Sequence, residues 1–175
     1  MKTLVIVAHP TIEDSRINKR WVQELGKHSE MITVHQLYPT YPDWTFNIEH
    51  EKKLVMEHER VIFQFPFYWY SSPPLLKKWF DDVFTHGWAY GSQGDKLQGK
   101  EFGLAISTGV LQSDYQAGGA NKFTLSELTR PFQATCIYTG MKFIPIFAIY
   151  GAEHHLTDEE VEQSASDYVT HILKS

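Results

Sequence analysis

The run TLVIVA at residues 3–8 is uninterrupted, apolar and rich in β-branched side chains. Such a run predicts a strand that other elements cover on both faces, as in a parallel sheet. Ser15 can cap the first turn of a helix behind this strand. Apolar residues then recur at four-residue spacing, at Ile17, Trp21 and Leu25, so the helix has one apolar face. The first predicted elements are therefore a buried strand and an amphipathic helix.

The same alternation continues along the chain. Further strands are predicted at residues 32–37, 61–65, 102–107 and 143–150. Further helices are predicted at residues 47–58, 75–84 and 131–138, and a last one begins at the capping box of Thr157 and Glu160.

Five strands that alternate with helices predict a parallel sheet between two helical layers, joined by right-handed crossovers. A barrel of eight such units would need about 250 residues, more than the 175 present. We therefore expect an α/β fold, a flavodoxin-like three-layer doubly wound sandwich with a five-stranded parallel sheet of order 2-1-3-4-5. Residues 1–175 are expected to form one domain.

Composition and charge exclude several functional classes. Hydrophobic residues make up 42% of the chain, enough for a core, and a net charge of −5 offers no basic field for nucleic acid. The lone cysteine, Cys136, can form no intramolecular disulfide and is expected to be a buried thiol. The apolar runs are far shorter than the ~20 residues of a membrane-spanning helix, and no cleavable signal is evident. We expect a cytoplasmic protein that does not bind nucleic acid.

Three loops should meet where the strand order reverses, because ligands of such sheets bind beyond the carboxyl ends of the strands. They are residues 9–15, 66–73 and 107–121. The first loop enters a helix whose free N–H groups can hold a phosphate, with Ser15 and Asn18 as additional donors. Taken alone, Ser15 is better explained as a helix cap.

The other two loops have the chemistry of a site for a flat ring. The segment PFYWYSSPP at residues 66–74 has four aromatic residues in a row, and its prolines prevent a regular helix or central strand. Some of its rings must then leave the core, where a planar ligand could stack on them. The turn STGV at residues 107–110 is small enough for backbone N–H groups to approach a ligand edge, although a plain glycine turn would look the same. Together the three loops predict a planar ligand that carries a phosphate, as FMN does.

A longer motif carries a family resemblance. The run FQFPFYWYSSPPLLK at residues 63–77, with WFD at 79–81 and HGWAYG at 86–91, resembles the bacterial NAD(P)H:quinone oxidoreductase family, above all its KefF- and YwrO-like branch. The resemblance extends over nearly the whole chain. It implies a flavodoxin-like homodimer that binds FMN and takes two electrons as hydride from NADH or NADPH, in a ping-pong cycle, to reduce quinones or similar electrophiles. The length of the chain favours FMN over FAD, which would need an adenine pocket.

The resemblance also assigns site residues. They are, on the phosphate and ribityl side, His9, Ser15, Arg16, Ile17 and Asn18; in the ring-binding loop, Pro66, Phe67, Tyr68, Trp69 and Tyr70; and at the pyrimidine edge, Ser107, Thr108, Gly109 and Val110. Tyr115 aligns with a tyrosine that stabilises the reduced flavin in related animal quinone reductases. We expect Tyr115 and backbone N–H groups around Thr108 and Gly109 to meet the negative charge that develops during reduction.

The sequence departs from the family pattern at two positions. Val110 stands where the family often has a second glycine. Asn121 stands where the animal enzymes have a histidine, so a charge-relay role is not transferred. We expect no metal site, because adjacent side chains such as those of EHH at residues 153–155 rarely coordinate one ion.

Two alternatives to an enzyme remain open. The first is a small flavodoxin that carries electrons without binding nicotinamide, although such carriers are usually more acidic than −5. The second is a KefF-like ancillary subunit that activates a glutathione-gated potassium efflux transporter at the inner face of the membrane, with the polar helical surface at 49–59 as a docking face. A phosphorylated receiver domain is excluded, since strands one and three end in AHP and FP without the aspartate that it needs.

Overall fold

A computed structural model of the chain describes residues 1–153 and 156–174. Its strands are β1 (Thr3–Val7), β2 (Ile32–Gln36), β3 (Arg60–Pro66), β4 (Glu101–Ser107), β5 (Lys142–Phe143) and β6 (Phe147–Ile149). All of their pairings are parallel, in the order β2-β1-β3-β4-β5, with β6 also on β4. The predicted fold class and strand order are confirmed.

The predicted last strand is interrupted. Residues 143–150 were expected to be continuous, but β5 pairs with Glu101 and Phe102 whereas β6 pairs further along, with residues 105–107. Pro145 lies between them, and prolines in sheets are confined to edge strands, strand starts and interruptions. The edge of the sheet nearest to β4 is therefore made of two short pieces.

Helices cover both faces of the sheet. They are α1 (Arg16–Leu25), α2 (Leu37–Thr40), α3 (Ile48–Met56), α4 (Pro74–Val83), α5 (Leu125–Leu128), α6 (Arg130–Tyr138) and α7 (Asp158–Lys174). Helices α1 and α7 pack with Val5 and Val7 of β1, whereas α3, α4 and α6 pack with Leu4 and Ile6. Both faces of β1 are buried, which explains why its sequence is apolar without alternation. No helix in the described part of the chain is long and apolar enough to cross a membrane.

One acidic residue of α3 lies in the core. The helix was expected to expose its charges, but Glu51 is fully buried. Its carboxylate accepts hydrogen bonds from Tyr41 Oη at 2.5 Å and Trp79 Nε1 at 2.7 Å, and lies 2.9 Å from His35 Nε2. Burial opposes ionisation, yet these partners together hold the pKa of Glu51 below its usual value. The network joins α3 to β2 and α4.

Candidate functional site

A cleft of about 290 Å³ lies at the carboxyl ends of β1, β3 and β4. It is the place at which the reversal of strand order was expected to bind a ligand. Ten of the fourteen predicted cofactor-binding residues line it: His9, Ser15, Arg16, Ile17, Asn18, Pro66, Phe67, Tyr68, Ser107 and Gly109. Three further lining residues, Asp14, Ala152 and Glu153, were missed by sequence reasoning.

The amino terminus of α1 lines the cleft. Ser15 caps the helix, and its Oγ accepts the Asn18 N–H at 3.0 Å, so the hydroxyl proton remains free to donate. Ile17 is buried in the core and can offer a ligand only its backbone. The Arg16 guanidinium is held 2.7 Å from Asp158 on α7, so its charge is already paired. The first-turn N–H groups and the positive end of the helix dipole are thus the main attraction for an anion here.

His9 lies beside this helix end. Its Nδ1 accepts the Thr11 N–H at 3.2 Å. Burial lowers the pKa of His9, and the nearby Asp14 only partly offsets this effect. The ring is therefore neutral at pH 7, with its proton on Nε2 as a donor.

The Asn18 side chain is already engaged in hydrogen bonds within the protein and is not a fully free donor for a ligand. Its Nδ2 donates to Ser107 Oγ at 2.9 Å, and its own side-chain and backbone oxygens each accept from Gln64 Nε2 at 3.2 Å. This chain of bonds joins α1, β3 and β4 beneath the cleft. Gln64 Oε1 is buried with no partner among the described residues. A glutamine within the apolar strand VIFQF was a visible signal that sequence reasoning passed over.

The aromatic loop is a tight turn. Tyr68 and Ser71 exchange two backbone hydrogen bonds, of 3.0 and 2.9 Å. Trp69 and Tyr70 between them have φ values of +47° and +60°, a left-handed backbone that costs non-glycine residues about 1–2 kcal/mol each. The Trp69 side chain is 93% exposed and projects into solvent, outside the lining of the cleft. Tyr70 Oη lies 3.4 Å from Asn121 Oδ1, which places Asn121 against this turn.

The STGV turn is bonded to the segment after β6. The expectation that the Thr108 N–H faces a ligand is wrong, because it donates to Ile149 O at 2.9 Å. The turn also packs against Glu153, since a Cβ on Gly109 would lie 2.7 Å from Glu153 Cδ. Within residues 1–153 and 156–174, the N–H groups of Gly109 and Val110 have no backbone acceptor. They are the donors that this turn can offer.

Tyr115 is buried between the aromatic loop and β6. Its ring centroid lies 6.1 Å from that of Phe67 and 5.9 Å from that of Tyr150. Burial raises the pKa of the Tyr115 hydroxyl, the neighbouring Tyr70 and Tyr150 add to the rise, and a hydrogen bond with Thr108 partly offsets it. The hydroxyl is therefore protonated at neutral pH and able to donate.

The described residues contain no group of three His, Cys, Asp or Glu side chains placed to hold a metal ion. Of the EHH segment, His154 and His155 lie outside the described residues. Cys136 is buried, as expected, and burial raises the pKa of its thiol to about 11.

A family model described as "flavodoxin-like fold" matches residues 1–172. The chain belongs to this flavodoxin-like family. It is 56% identical over 172 residues, 98% of both chains, to the uncharacterized NAD(P)H oxidoreductase YrkL of Bacillus subtilis. It is 39% identical over 151 residues to KefG of Erwinia tasmaniensis, an ancillary protein of a glutathione-regulated potassium-efflux system, covering 86% of this chain and 82% of that one.

Solved structures of flavodoxin-like proteins overlay closely on this one. General stress protein 14 of Treponema denticola, solved in complex with FMN, is 42% identical with a TM-score of 0.93 over 97% of both chains. An NADPH-quinone reductase of P. pentosaceus is 39% identical with a TM-score of 0.86, over 96% of this chain and 95% of that one.

Proposed function

We propose that this chain is an NAD(P)H:quinone oxidoreductase that uses FMN, built as one flavin-binding domain over residues 1–175. The observation that carries the proposal is the cleft itself. Its lining combines the amino terminus of a helix, the aromatic residues Phe67 and Tyr68, and Ser107 and Gly109 of the small STGV turn. The FMN complex of a protein with a TM-score of 0.93 and the NAD(P)H oxidoreductase and NADPH-quinone reductase names of relatives support the same function.

The residues present fit FMN. The phosphate would lie at the first turn of α1, where the Ser15 hydroxyl and His9 Nε2 add donors. The ring would lie against Phe67 and Tyr68, and the absence of a Cβ on Gly109 leaves room for the Glu153 side chain beside the turn. When bound, FMN would accept a hydride from NADH or NADPH and deliver it to a quinone.

The chain's own residues would position the flavin ring and stabilise the negative charge that the ring gains on reduction. The Gly109 and Val110 N–H groups and the protonated Tyr115 hydroxyl would donate to the ring edge that gains negative charge. The exposed Trp69 side chain would cover the flavin ring and shield it from solvent. The strained backbone of the tight turn would hold the indole ring in that position.

The test is a spectrum of the purified protein after reconstitution with FMN, with NADPH or NADH then added without oxygen. We expect a yellow protein that bleaches and that regains its colour when a soluble quinone is added. Protein that stays colourless after reconstitution would refute the flavin site. Protein that holds FMN but is bleached by neither nucleotide would be an electron carrier of the flavodoxin type.

A second copy of the chain is proposed as partner. A groove of about 580 Å³ lies between α4 and α6, lined by apolar residues such as Phe80 and Phe132. On its rim, Tyr138 is 72% exposed. Lys77 and Asp81 sit one turn apart on α4, so two antiparallel copies could exchange these charges across a two-fold axis. Sedimentation should therefore give twice the monomer mass.

The likeness to KefG supports a second partner, a potassium-efflux transporter. Binding to it would place part of an otherwise cytoplasmic protein at the inner face of the membrane. The helix expected to dock is α3, whose Glu49 and Lys53 are exposed. Copurification with a membrane transporter would support this role, and a transporter whose flux does not respond to the protein would refute it.

A further inference from the structure

The backbone carbonyl groups of the STGV turn are engaged in hydrogen bonds, whereas the N–H groups of Gly109 and Val110 have no backbone acceptor among the described residues. The carbonyl oxygens of Thr108, Gly109 and Val110 accept the N–H groups of residues 152, 153 and 151, at 2.9, 3.1 and 2.8 Å. Val110 O also accepts the Thr108 hydroxyl at 3.1 Å. The turn therefore offers a ligand N–H groups, while its carbonyls are already engaged.

The Glu153 carboxylate lies beside this turn and is a hydrogen-bond acceptor there. Its backbone N–H is fixed on Gly109 O, and its side chain folds back over that glycine, with Cδ, Oε1 and Oε2 at 2.7, 2.9 and 3.1 Å from the position of a Cβ. Glu153 lines the cleft together with Gly109 and Ser107. Because residue 109 is glycine, there is room for the carboxylate beside the turn, at the lining of the cleft.

The pyrimidine edge of a flavin ring alternates acceptor, donor and acceptor, in the order C2=O, N3–H, C4=O. Backbone N–H groups can satisfy only the two carbonyls, and a donor held in a cleft without an acceptor loses binding free energy. We propose that the Glu153 carboxylate accepts the hydrogen bond of the flavin N3–H. This inference rests on the proposed function and extends it, since it assigns a positioning residue to the FMN site.

The charge of Glu153 has a second consequence. A carboxylate beside the ring opposes the negative charge that the ring gains on reduction. Glu153 therefore lowers the midpoint potential of bound FMN and makes the reduced protein a stronger reductant. The affinity for FMN reports the role of Glu153 as an acceptor, whereas the midpoint potential of bound FMN reports its charge. The two measurements therefore separate these roles.

The test compares the wild type, Glu153→Ala and Glu153→Gln, each titrated with FMN and with 3-methyl-FMN while the flavin fluorescence is followed. In the wild type, methylation removes the donor and should weaken binding about 10- to 100-fold, the range for a hydrogen bond to a charged group. Glu153→Ala should bind FMN weaker by the same factor and lose the discrimination against the methyl group. Glu153→Gln keeps an acceptor oxygen and should recover most of the affinity, while its midpoint potential rises as in Glu153→Ala.

Asp14 supplies a matched control, because its carboxylate lines the same cleft from the first loop. Asp14→Ala removes a negative charge from the cleft and should keep the full discrimination against 3-methyl-FMN. If Glu153→Ala binds FMN as tightly as the wild type and still discriminates against the methyl group, the inference is overturned while the flavin site stands. If the wild type itself binds no FMN, the proposed function fails, and the inference fails with it.

Discussion

Replacing Glu51 by glutamine should lower the free energy of unfolding by about 3 kcal/mol. The carboxylate serves three partners with two oxygens: Oε1 lies close to Tyr41 Oη and His35 Nε2, and Oε2 accepts from Trp79 Nε1. A glutamine that keeps its oxygen toward Tyr41 must turn its amide toward the Trp79 N–H, which sets donor against donor. One charge-assisted bond is then lost, worth about 1.5–3 kcal/mol, and the other two weaken to neutral strength, at about 0.5 kcal/mol each.

Urea unfolding at pH 7 measures the change, and Glu49→Gln on the same helix is the control. The Glu49 side chain is exposed and lies 3.8 Å from Lys52, so its loss should change stability by less than about 0.5 kcal/mol. The pKa of Glu51 is lowered in the folded protein, so its contribution is complete above the unfolded value of about 4.3 and disappears as the pH falls through the folded value. The gap between the wild type and Glu51→Gln should therefore narrow in acid. A variant within 1 kcal/mol of the wild type at pH 7, or a gap that widens in acid, would refute the reasoning.

Three further predictions concern the site. Tyr115→Phe removes a protonated donor and should slow flavin reduction by NADPH about 100-fold in stopped flow without loss of FMN; a rate equal to wild type would remove the role of Tyr115. Trp69→Ala should leave the thermal melt unchanged, because the side chain is 93% exposed, and weaken FMN binding about 2- to 10-fold; full occupancy after dialysis would count against stacking. Gly109→Ala should displace the flexible Glu153 carboxyl, and we expect about tenfold weaker FMN binding at nearly unchanged stability; an affinity equal to wild type would show that the carboxyl is not needed at that position.

The architecture could be predicted because its signals are local and repeated. The apolar run of β1, the Ser15 cap and the Thr157–Glu160 capping box each fix one element, and alternation of strand and helix then leaves few topologies. The break at Pro145 was also visible, but the apolar residues around it suggested one continuous strand. Its effect depends on the partner strand: the Ile144 N–H still donates to Phe102 O, and the named pairing with β4 resumes only at Ala105 and Phe147.

The fine structure of the site could not be predicted in this way. Whether the Thr108 N–H is free depends on Ile149, which is brought beside it by strand pairing and not by any local pattern. The burial of Glu51 depends on Tyr41 and Trp79, which reach it from two other elements. Helix periodicity predicts on which face of a helix a charged residue lies. It does not predict whether other elements place hydrogen-bond donors against that face.

The hydrogen bonds beneath the cleft connect the first turn of α1 with the STGV turn. Gln64 Nε2 donates to Asn18, and Asn18 Nδ2 donates to Ser107, so the first turn of α1 is tied through β3 and β4 to the start of the STGV turn. Apolar residues could fill the same space without the buried Gln64 Oε1, which has no partner among the described residues, an arrangement that costs about 1–3 kcal/mol. Directional bonds, unlike apolar contacts, fix how far the helix end stands from the turn. A ligand that contacts both α1 and this turn then meets donors whose separation is already fixed, and it loses less free energy in ordering them.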